Sequence, residues 1–416
     1  MPFQNVFPFF FCFFIMGILD KLSDPAVWRR FREYKTEHGH ISDRDLARLD
    51  AYIAGERYLS VTDRISKPDH GFSLPSRRVI NKIGSSKKRI VYTFPADEVP
   101  VLKLLSYLLY RYDGYLSPSC YSFRRNLSAK DALDGIVRGA DPGRSYVLKA
   151  DVHDYFNSIP ADRLVQIFRD VIGDDPDLLA FLTDFFTADL AWDGDRLVRG
   201  NRGAMAGVPL SAFSANVYLT SLDRLFDGKG VPYFRYSDDI LIFAPSAESL
   251  EEYRHILTDH LAEKGLSLNP DKVTVTGPGE PWEFLGFKYA DGRFDLSDAA
   301  VKKMKDKMRR KCRALYRWRT RKDVDFDRAA KVVIRIFNRK FYDDGEERDF
   351  NWSRWFFPVL TTDRGLRELD RYFAECLRYI KSGRHYKGNY SVTYEKLKSL
   401  GYRSLVNEYY KFKKHD

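Results

Sequence analysis

From Val99 to Tyr112 the chain reads VPVLKLLSYLLYRY, an apolar run longer than a typical strand, with Pro95 just ahead of it. We expect a buried helix over 99–112, preceded by a basic turn that feeds a β-strand, SSKKRIVYTF (85–94). Ser23-Asp24-Pro25 joins capping residues to a Pro in the first turn, which marks a helix running to about Lys35. A second helix is expected from about Asp43 to Tyr58, where Leu46, Leu49 and Ile53 recur at helical spacing. Further on the period changes. SYVLKADV (145–152) is a continuous apolar strand ending on a carboxylate, and YFRYSDDILIFAP (233–245) reads as two short apolar strands meeting at Ser237-Asp238-Asp239. Helices are expected over 160–190, 209–225 and 247–264, then a strand over 272–276 and a strand pair around Phe284-Leu285-Gly286-Phe287. That order predicts an α+β fold around an antiparallel sheet.

Beyond about Ser297 the composition shifts. Residues 302–322 hold twelve Lys or Arg and one acid, Asp306, and the remainder is helical and aromatic, which places a boundary near 296. The 416-residue chain carries a net charge of +11 with a pI near 9.2, so its partner is a polyanion. Nucleic acid is the usual one, and a membrane surface is the other class that charge alone admits. With 44% hydrophobic and 31% charged residues, the chain is globular rather than disordered. Aromatic residues reach 15%; most serve the core, but base stacking is open to the rest. Cys12, Cys120, Cys312 and Cys376 lie far apart without CxxC spacing, which argues against a zinc ribbon or a disulfide scaffold and suits a reducing cytoplasm.

Residues 1–19 form an apolar extension with no Lys or Arg before Lys21, unlike a secretory signal. As a helix, Phe3 to Leu19 would reach roughly 25 Å, short of the ~30 Å hydrocarbon core. We read it as an over-long start, with Met16 opening an ordinary amphipathic beginning, and expect no membrane association.

The candidate chemistry lies in three carboxylates. An Asp pair at a turn is usually a solvated turn. Here apolar strands on both sides place Asp238 and Asp239 centrally in a sheet, where charge needs a partner, and Asp151 ends another such strand. Mg²⁺ is the natural partner of clustered carboxylates, with Mn²⁺ as the alternative. Two ions ~3.5–4 Å apart would stabilise an attacking 3′-oxygen and a leaving pyrophosphate. Asp151 and Asp238 are read as ligands of both ions, with Val152 beside them and Asp239 as a weaker or supporting group.

These segments resemble reverse transcriptases. KADVHDYFNSI (149–159), RYSDDILIFA (235–244), GLSLNPDKVTV (265–275) and FLGFKY (284–289) are similar to motifs A, C, D and E, in order and at family-like spacing. KKRIVYTFP (87–95) and YSFRRNLSAKDAL (121–133) resemble the fingers motifs of group II intron and retron enzymes, and RGAMAGVPLSAFSANVYLTSLD (202–223) resembles motif B. The resemblance, over roughly 85–290, implies a right-hand polymerase. Its divisions would be fingers with N-terminal helices (20–144), palm (145–296, with fingers parts interleaved around 160–205) and a helical basic thumb with the C-terminal region (297–416). Phe156 falls at the family's steric gate, so deoxynucleotides are the implied substrates. Lys88, Arg89 and Arg124 match fingers cations that meet the triphosphate or template, a contact that suits Arg. Gly207 and Tyr236 fall in the nucleotide pocket, and Lys272 matches a general acid for the departing pyrophosphate. Phe284, Leu285 and Gly286 resemble the primer grip, and Lys302, Lys305, Arg309, Arg310 and Arg313 would lie along the product duplex, making binding salt-dependent.

Motif B departs from the family pattern: Met205-Ala206-Gly207 stands where PQG is usual, so the Gln contact to the nucleotide is lost. Gly203 and Gly207 remain and would permit a close backbone approach to that nucleotide. Ser237 in YSDD is also unusual. The AMAGVPLSAF form of motif B and LKSLGYRSLVNEYYKF (397–412) resemble bacterial defence-associated reverse transcriptases, class 2 type. For that class the resemblance implies a structured non-coding RNA as template and scaffold, a cDNA product, and antiphage defence in the cytoplasm. A retron-type enzyme priming from a 2′-hydroxyl of its own RNA, or an RNA-binding protein that no longer polymerises, are the alternatives. Intact Asp151, Asp238, Asp239 and Lys272 argue against the last.

Overall fold

The computed structural model describes residues 17–38, 41–67, 71–81, 88–200, 202–342 and 352–415. The apolar segment up to Met16, Cys12 within it and the basic turn at 85–87 lie outside the described residues. Eleven strands are described: β1 (Ser76–Asn81), β2 (Lys88–Thr93), β3 (Tyr146–Asp151), β4 (Leu190–Asp193), β5 (Arg196–Arg199), β6 (Tyr233–Tyr236), β7 (Asp239–Ala244), β8 (Thr274–Thr276), β9 (Trp282–Phe284), β10 (Phe287–Ala290) and β11 (Arg293–Leu296). They form three sheets, ordered β2-β1-β4-β5, β6-β7-β3-β8 and β11-β10-β9.

The middle sheet is antiparallel throughout and carries the three aspartates. Strands β3, β6 and β7 read as largely apolar runs because both of their faces are covered, whereas the edge strand β8 is mostly exposed. Leu148, Ala150, Tyr233, Ile240 and Ile242 point into one core, which they share with the helices Ala161–Val171 and Ser211–Tyr218. Val147, Phe234, Leu241 and Phe243 point into a second core with β9–β11 and the C-terminal helices. Successive side chains alternate between faces, so a strand buried on both sides cannot show a polar period.

Elsewhere the boundaries shift for local reasons. The expected helix over 43–58 stops at Ala54, where Gly55 and the left-handed Glu56 (φ 49°) turn the chain into a new helix, Tyr58–Ile65. The 160–190 stretch is two helices, Ala161–Val171 and Pro176–Thr187, the second capped by the Asp175 carboxylate accepting from the Leu178 amide. The helix from Val99 ends at Leu108 and tightens into a 3₁₀ turn over Leu109–Tyr115. The 209–225 helix breaks at Leu219 into Ser211–Tyr218 and Thr220–Gly228. Strands β1, β4 and β5 escape the sequence reading; SRRVIN is too polar and LAWD and RLVR too short to announce themselves. The basic segment is one long helix, Asp298–Lys322, which packs beside Arg364–Ser382. None of the described helices is long and apolar enough to cross a membrane.

Candidate active site

Strand pairing decides where the carboxylates meet. In the β3–β7 ladder Asp151 stands opposite Asp239, and cross-strand partners project to the same face. Asp238 occupies the two-residue turn between β6 and β7. Ser237 takes the other turn position with φ 62°, and a positive φ at only the first turn residue fits a II′-type hairpin. Its amide donates to Ser122 Oγ at 2.8 Å, while Asp238 accepts from the Val152 amide at 3.1 Å through its carbonyl. The turn is thereby tied to motif A itself and to the segment before the Ala129–Gly139 helix. So Val152 belongs to this site through its backbone, with its side chain buried.

The electrostatics are those of buried carboxylates that repel one another. Asp151 is 3% exposed. Burial, and then the charge of Asp151, raises the Asp238 carboxyl above its usual range. Burial and the adjacent Asp238 push Asp239 up to about 7. Lys272 donates to Asp151 Oδ2 in an ion pair, and Asn269 adds a longer bond, 3.4 Å, to Oδ1. Lys149 and Arg89 oppose the raised values at Asp239 and Asp238, respectively. Among the described residues no three His, Cys, Asp or Glu side chains are gathered closely enough to hold a metal ion. The donor set is nevertheless all carboxylate oxygen, the chemistry that suits Mg²⁺, and burial and then mutual repulsion raise two of its members. The residues present fit divalent ions, with the Lys272 ammonium partly standing in for one.

Two lone residues of the site could not be anticipated individually. Arg235 is fully buried and grips Asp223 with two bonds, 2.7 and 2.6 Å, while also donating to the Asn216 and Ser237 carbonyls. It joins the motif B helix to the catalytic turn. Phe123 is 44% exposed with φ 54°, a conformation costly for a bulky residue, and its ring lies 6.4 Å from that of Phe156. The only available signal for either was its place inside a quoted motif.

Phe156 itself is half-buried, and its carbonyl accepts from the Ala204 amide at 2.6 Å. Gly203 is needed for that contact: at φ +57° a Cβ would stand 2.5 Å from the Phe156 carbonyl oxygen. Gly207, at φ +97°, lies against the Tyr92 backbone of β2, 3.2 Å from a Cβ. In this structure Gly203 packs its loop on the short helix Tyr155–Ser158 and Gly207 packs on β2, where a close approach to the nucleotide was expected. Met205, replacing the family Pro, is fully buried in the left-handed region at φ 56°.

The other expected residues divide. Lys88 is exposed at the start of β2 and Arg89 faces the aspartates electrostatically. Arg124 does not present its guanidinium freely: it donates to the carbonyls of Ser117, Cys120 and Asp113, locking the preceding loop. Tyr236 meets Trp355 edge-on at 5.7 Å. Phe284 is fully buried in the second core, so it cannot touch nucleic acid; Leu285 instead holds Trp355 through its carbonyl, and Gly286 packs on Phe356. On the long basic helix Lys305 pairs with Glu368 and Arg309 with Asp306, whereas Lys302, Arg310 and Arg313 are exposed. The five expected duplex cations are therefore not equivalent. Replacing Lys302, Arg310 and Arg313 together by Ala should flatten the slope of log affinity against log salt by roughly 2–3 units, at ~0.9 per phosphate contact. Lys305→Ala and Arg309→Ala should change it far less, as read by fluorescence anisotropy on a labelled RNA–DNA duplex.

Residues 80–289, just over half the chain, match the family described as reverse transcriptase (RNA-dependent DNA polymerase). The chain belongs to this family. The retron Ec86 reverse transcriptase of Escherichia coli is 22% identical over 237 residues, covering 55% of this chain and 67% of that protein. Protein P of heron hepatitis B virus is 31% identical over 112 residues, 25% of this chain and 14% of that protein. Protein P of duck hepatitis B virus (strain United States/DHBV-16) is 29% identical over 114 residues, 27% of this chain and 13% of that protein. The chain thus spans two thirds of the retron enzyme and a small part of the viral proteins. A solved telomerase from Candida albicans, in complex with a TWJ fragment of telomeric RNA, aligns over 79% of this chain and 62% of that one, at 14% identity and a TM-score of 0.41. As a member of the family, the chain has the right-hand polymerase fold, α+β as expected, with the reverse transcriptase region spanning β2, the three aspartates and the β9–β10 hairpin.

The steric-gate role expected of Phe156 can be tested directly. Phe156→Ala should lower discrimination against ribonucleotides at least tenfold, the equivalent of ~1.4 kcal/mol of lost steric penalty. Single-nucleotide incorporation of matched ribo- and deoxyribonucleotides reads the ratio; an unchanged ratio would remove Phe156 from that role.

Proposed function

We propose that the chain is an active RNA-directed DNA polymerase that copies a structured non-coding RNA into cDNA by two-metal nucleotidyl transfer, in antiphage defence in the bacterial cytoplasm. The observation that carries the catalytic part is the convergence of Asp151, Asp238 and Asp239 at the β3–β7 seam, where burial and mutual repulsion raise the Asp238 and Asp239 carboxyls. Asp151, Asp238 and the Val152 backbone would hold divalent ions, with Asp239 supporting; such ions supply charge stabilisation to both oxygens of an in-line displacement. The protein's own part is positional. The II′-type turn presents Asp238, the β3–β7 register fixes Asp151, and Arg235 pins the turn to the motif B helix. Lys272 already rests on Asp151, where an ammonium can give a proton to a leaving pyrophosphate once displaced towards it. Deoxynucleotides are the substrates consistent with an aromatic ring at Phe156.

The division into fingers (20–144), palm (145–296) and thumb (297–416) is part of this reading. It is supported by β1 and β2 forming one sheet while β3 opens the next, by β4 and β5 returning to the first sheet as interleaved fingers parts would, and by the helices described from Asp298 on. The defence role and the RNA partner rest on the form of motif B and on the 397–412 segment. Extension of a primed RNA template with dNTPs and Mg²⁺, with and without chelator, tests the polymerase. Sequencing the nucleic acid that co-purifies with wild type and with Asp238→Ala/Asp239→Ala tests the RNA: only DNA that depends on the aspartates counts as product.

A second reading is favoured by the similarity to the retron enzyme. In it the first deoxynucleotide joins a 2′-hydroxyl of the template's own RNA. The two differ in product: a 2′–5′ RNA–DNA branch, cleaved by a debranching activity, belongs to the retron reading alone.

A further inference from the structure

Cys312 and Cys376 lie 64 residues apart in sequence, and the fold packs their helices side by side. Cys312 is on the Asp298–Lys322 helix and Cys376 on Arg364–Ser382, and both are buried, at 1% and 5% exposure. Their register follows from contacts that do not involve sulfur. Lys305 pairs with Glu368, the Tyr316 ring meets that of Tyr379 at 5.6 Å, and Arg319 donates to the carbonyls of Ile380 and Lys381. Residue numbers rise together along both helices, so the two run parallel. Between the first two contacts, that register sets Cys312 against Cys376, and both lie in the same buried core.

The surroundings make the two sulfurs unequal. Cys376 is held below the usual thiol range by the Cys312 thiol, and also by the Tyr372 hydroxyl and the Arg309 charge, against the effect of burial. Cys312 is pushed well above that range, first by its bond to Cys376 and then by burial. Tyr372 also lines an open cleft of about 890 Å³ along this face, with Lys305, Ala374, Glu375 and Arg378. The cleft brings solvent to the residue that touches Cys376. Neither thiol has a part in polymerisation, and both are free.

We propose that Cys312 and Cys376 form an oxidisable dithiol site that takes a hydroperoxide as its substrate and closes to a disulfide between the two helices. The Cys376 thiolate attacks the peroxide; an S–O bond forms, the O–O bond breaks, and hydroxide leaves to become water on taking up a proton. Cys312 sulfur then displaces the hydroxyl of the Cys376 sulfenic acid, forming the S–S bond, and its thiol proton leaves with that hydroxyl as the second water. Two thiols and one hydrogen peroxide thus give one disulfide and two waters, the two electrons passing from sulfur to peroxide oxygen. The product ties the first basic helix to Arg364–Ser382 and closes a loop that includes Phe326–Tyr342. A closure of that length restrains the unfolded chain.

The full-length chain, freed of reductant, is treated with hydrogen peroxide, its remaining thiols are alkylated, and its peptides are mapped by mass spectrometry without reduction. The expected result is a Cys312–Cys376 cross-link as the main species, together with a rise of roughly 5 °C in the melting midpoint that reductant reverses. In Cys312→Ser, a dimedone adduct should collect at Cys376; in Cys376→Ser, Cys312 should stay a thiol. The wild-type mapping needs neither variant to fold. Both thiols still open to alkylation, oxidation to sulfinic acid without a cross-link, or pairing of either with Cys120 or Cys12 would each overturn the proposal.

Discussion

Asp238→Asn abolishes nucleotide incorporation, by at least about a thousandfold, and leaves the protein folded with an unchanged or raised melting midpoint. Metal ions at developing charge are worth several kcal/mol, and each ~1.4 kcal/mol is tenfold in rate. The carboxylate is replaced by a side chain of the same shape that binds Mg²⁺ poorly. The stability half follows from the charges. Burial and the neighbouring Asp151 disfavour the ionised Asp238, and Asp239 suffers the same from burial and Asp238. Removing one charge relieves repulsion that the metal-free fold must bear. Asp151→Asn should match the loss of activity but behave differently in stability, because Lys272 then loses its partner. Primer extension at saturating Mg²⁺, beside thermal melting of the metal-free proteins, separates the two effects. Residual incorporation within tenfold of wild type for Asp238→Asn would end the two-metal assignment.

Arg235→Met destabilises the fold by about 3–5 kcal/mol, the range for breaking one side of a buried ion pair. Asp223 would keep Tyr233 as a hydrogen-bond donor at 2.8 Å but lose both guanidinium bonds, leaving a carboxylate with no exposure at all. The Asn216 and Ser237 carbonyls would lose their donor as well. Arg235→Met/Asp223→Leu should recover a large part of the stability, since replacing a whole buried pair by apolar groups is often neutral. It should not fully recover incorporation, because Ser237 then loses its bond from Arg235 and is tied to the motif B helix only through Ser122, which bonds Asn216. Urea unfolding and single-turnover incorporation on the three proteins read the two quantities. Equal stability of Arg235→Met and wild type would refute the structural role; full activity of the stable double variant would refute the positioning role.

The expected primer-grip and fingers contacts show where linear motifs mislead. A quoted segment such as FLGFKY identifies the hairpin but not which of its side chains is outward. The β9–β10 pairing turns Phe284 inward to the second core and leaves Leu285 and Gly286 at the bend. Arg124 was named for phosphate, yet three backbone carbonyls lie closer to it than any carboxylate of the site. The same holds for Lys305 and Arg309, whose charges are spent on Glu368 and Asp306. A charge in a sequence has a sign but no partner.

What the sequence determined by itself was local and ordinal. Apolar runs with a carboxylate at the end of each, glycines where the backbone must go left-handed, and motifs in a conserved-looking order were enough for the palm strands, the three aspartates, the long basic helix and the family. These are properties of neighbours a few residues apart, set by side-chain period and backbone sterics. The tertiary structure alone decided which distant residues meet. The β3–β7 register, 88 residues apart at Asp151 and Asp239, brought separate acids to one face of the sheet. Close packing of the Ser211–Tyr218 helix on the hairpin buried Arg235 with Asp223, and two parallel helices set Cys312 against Cys376. Such pairs depend on strand pairing and on burial against both faces of one sheet, and those become defined only once the whole chain has closed around it.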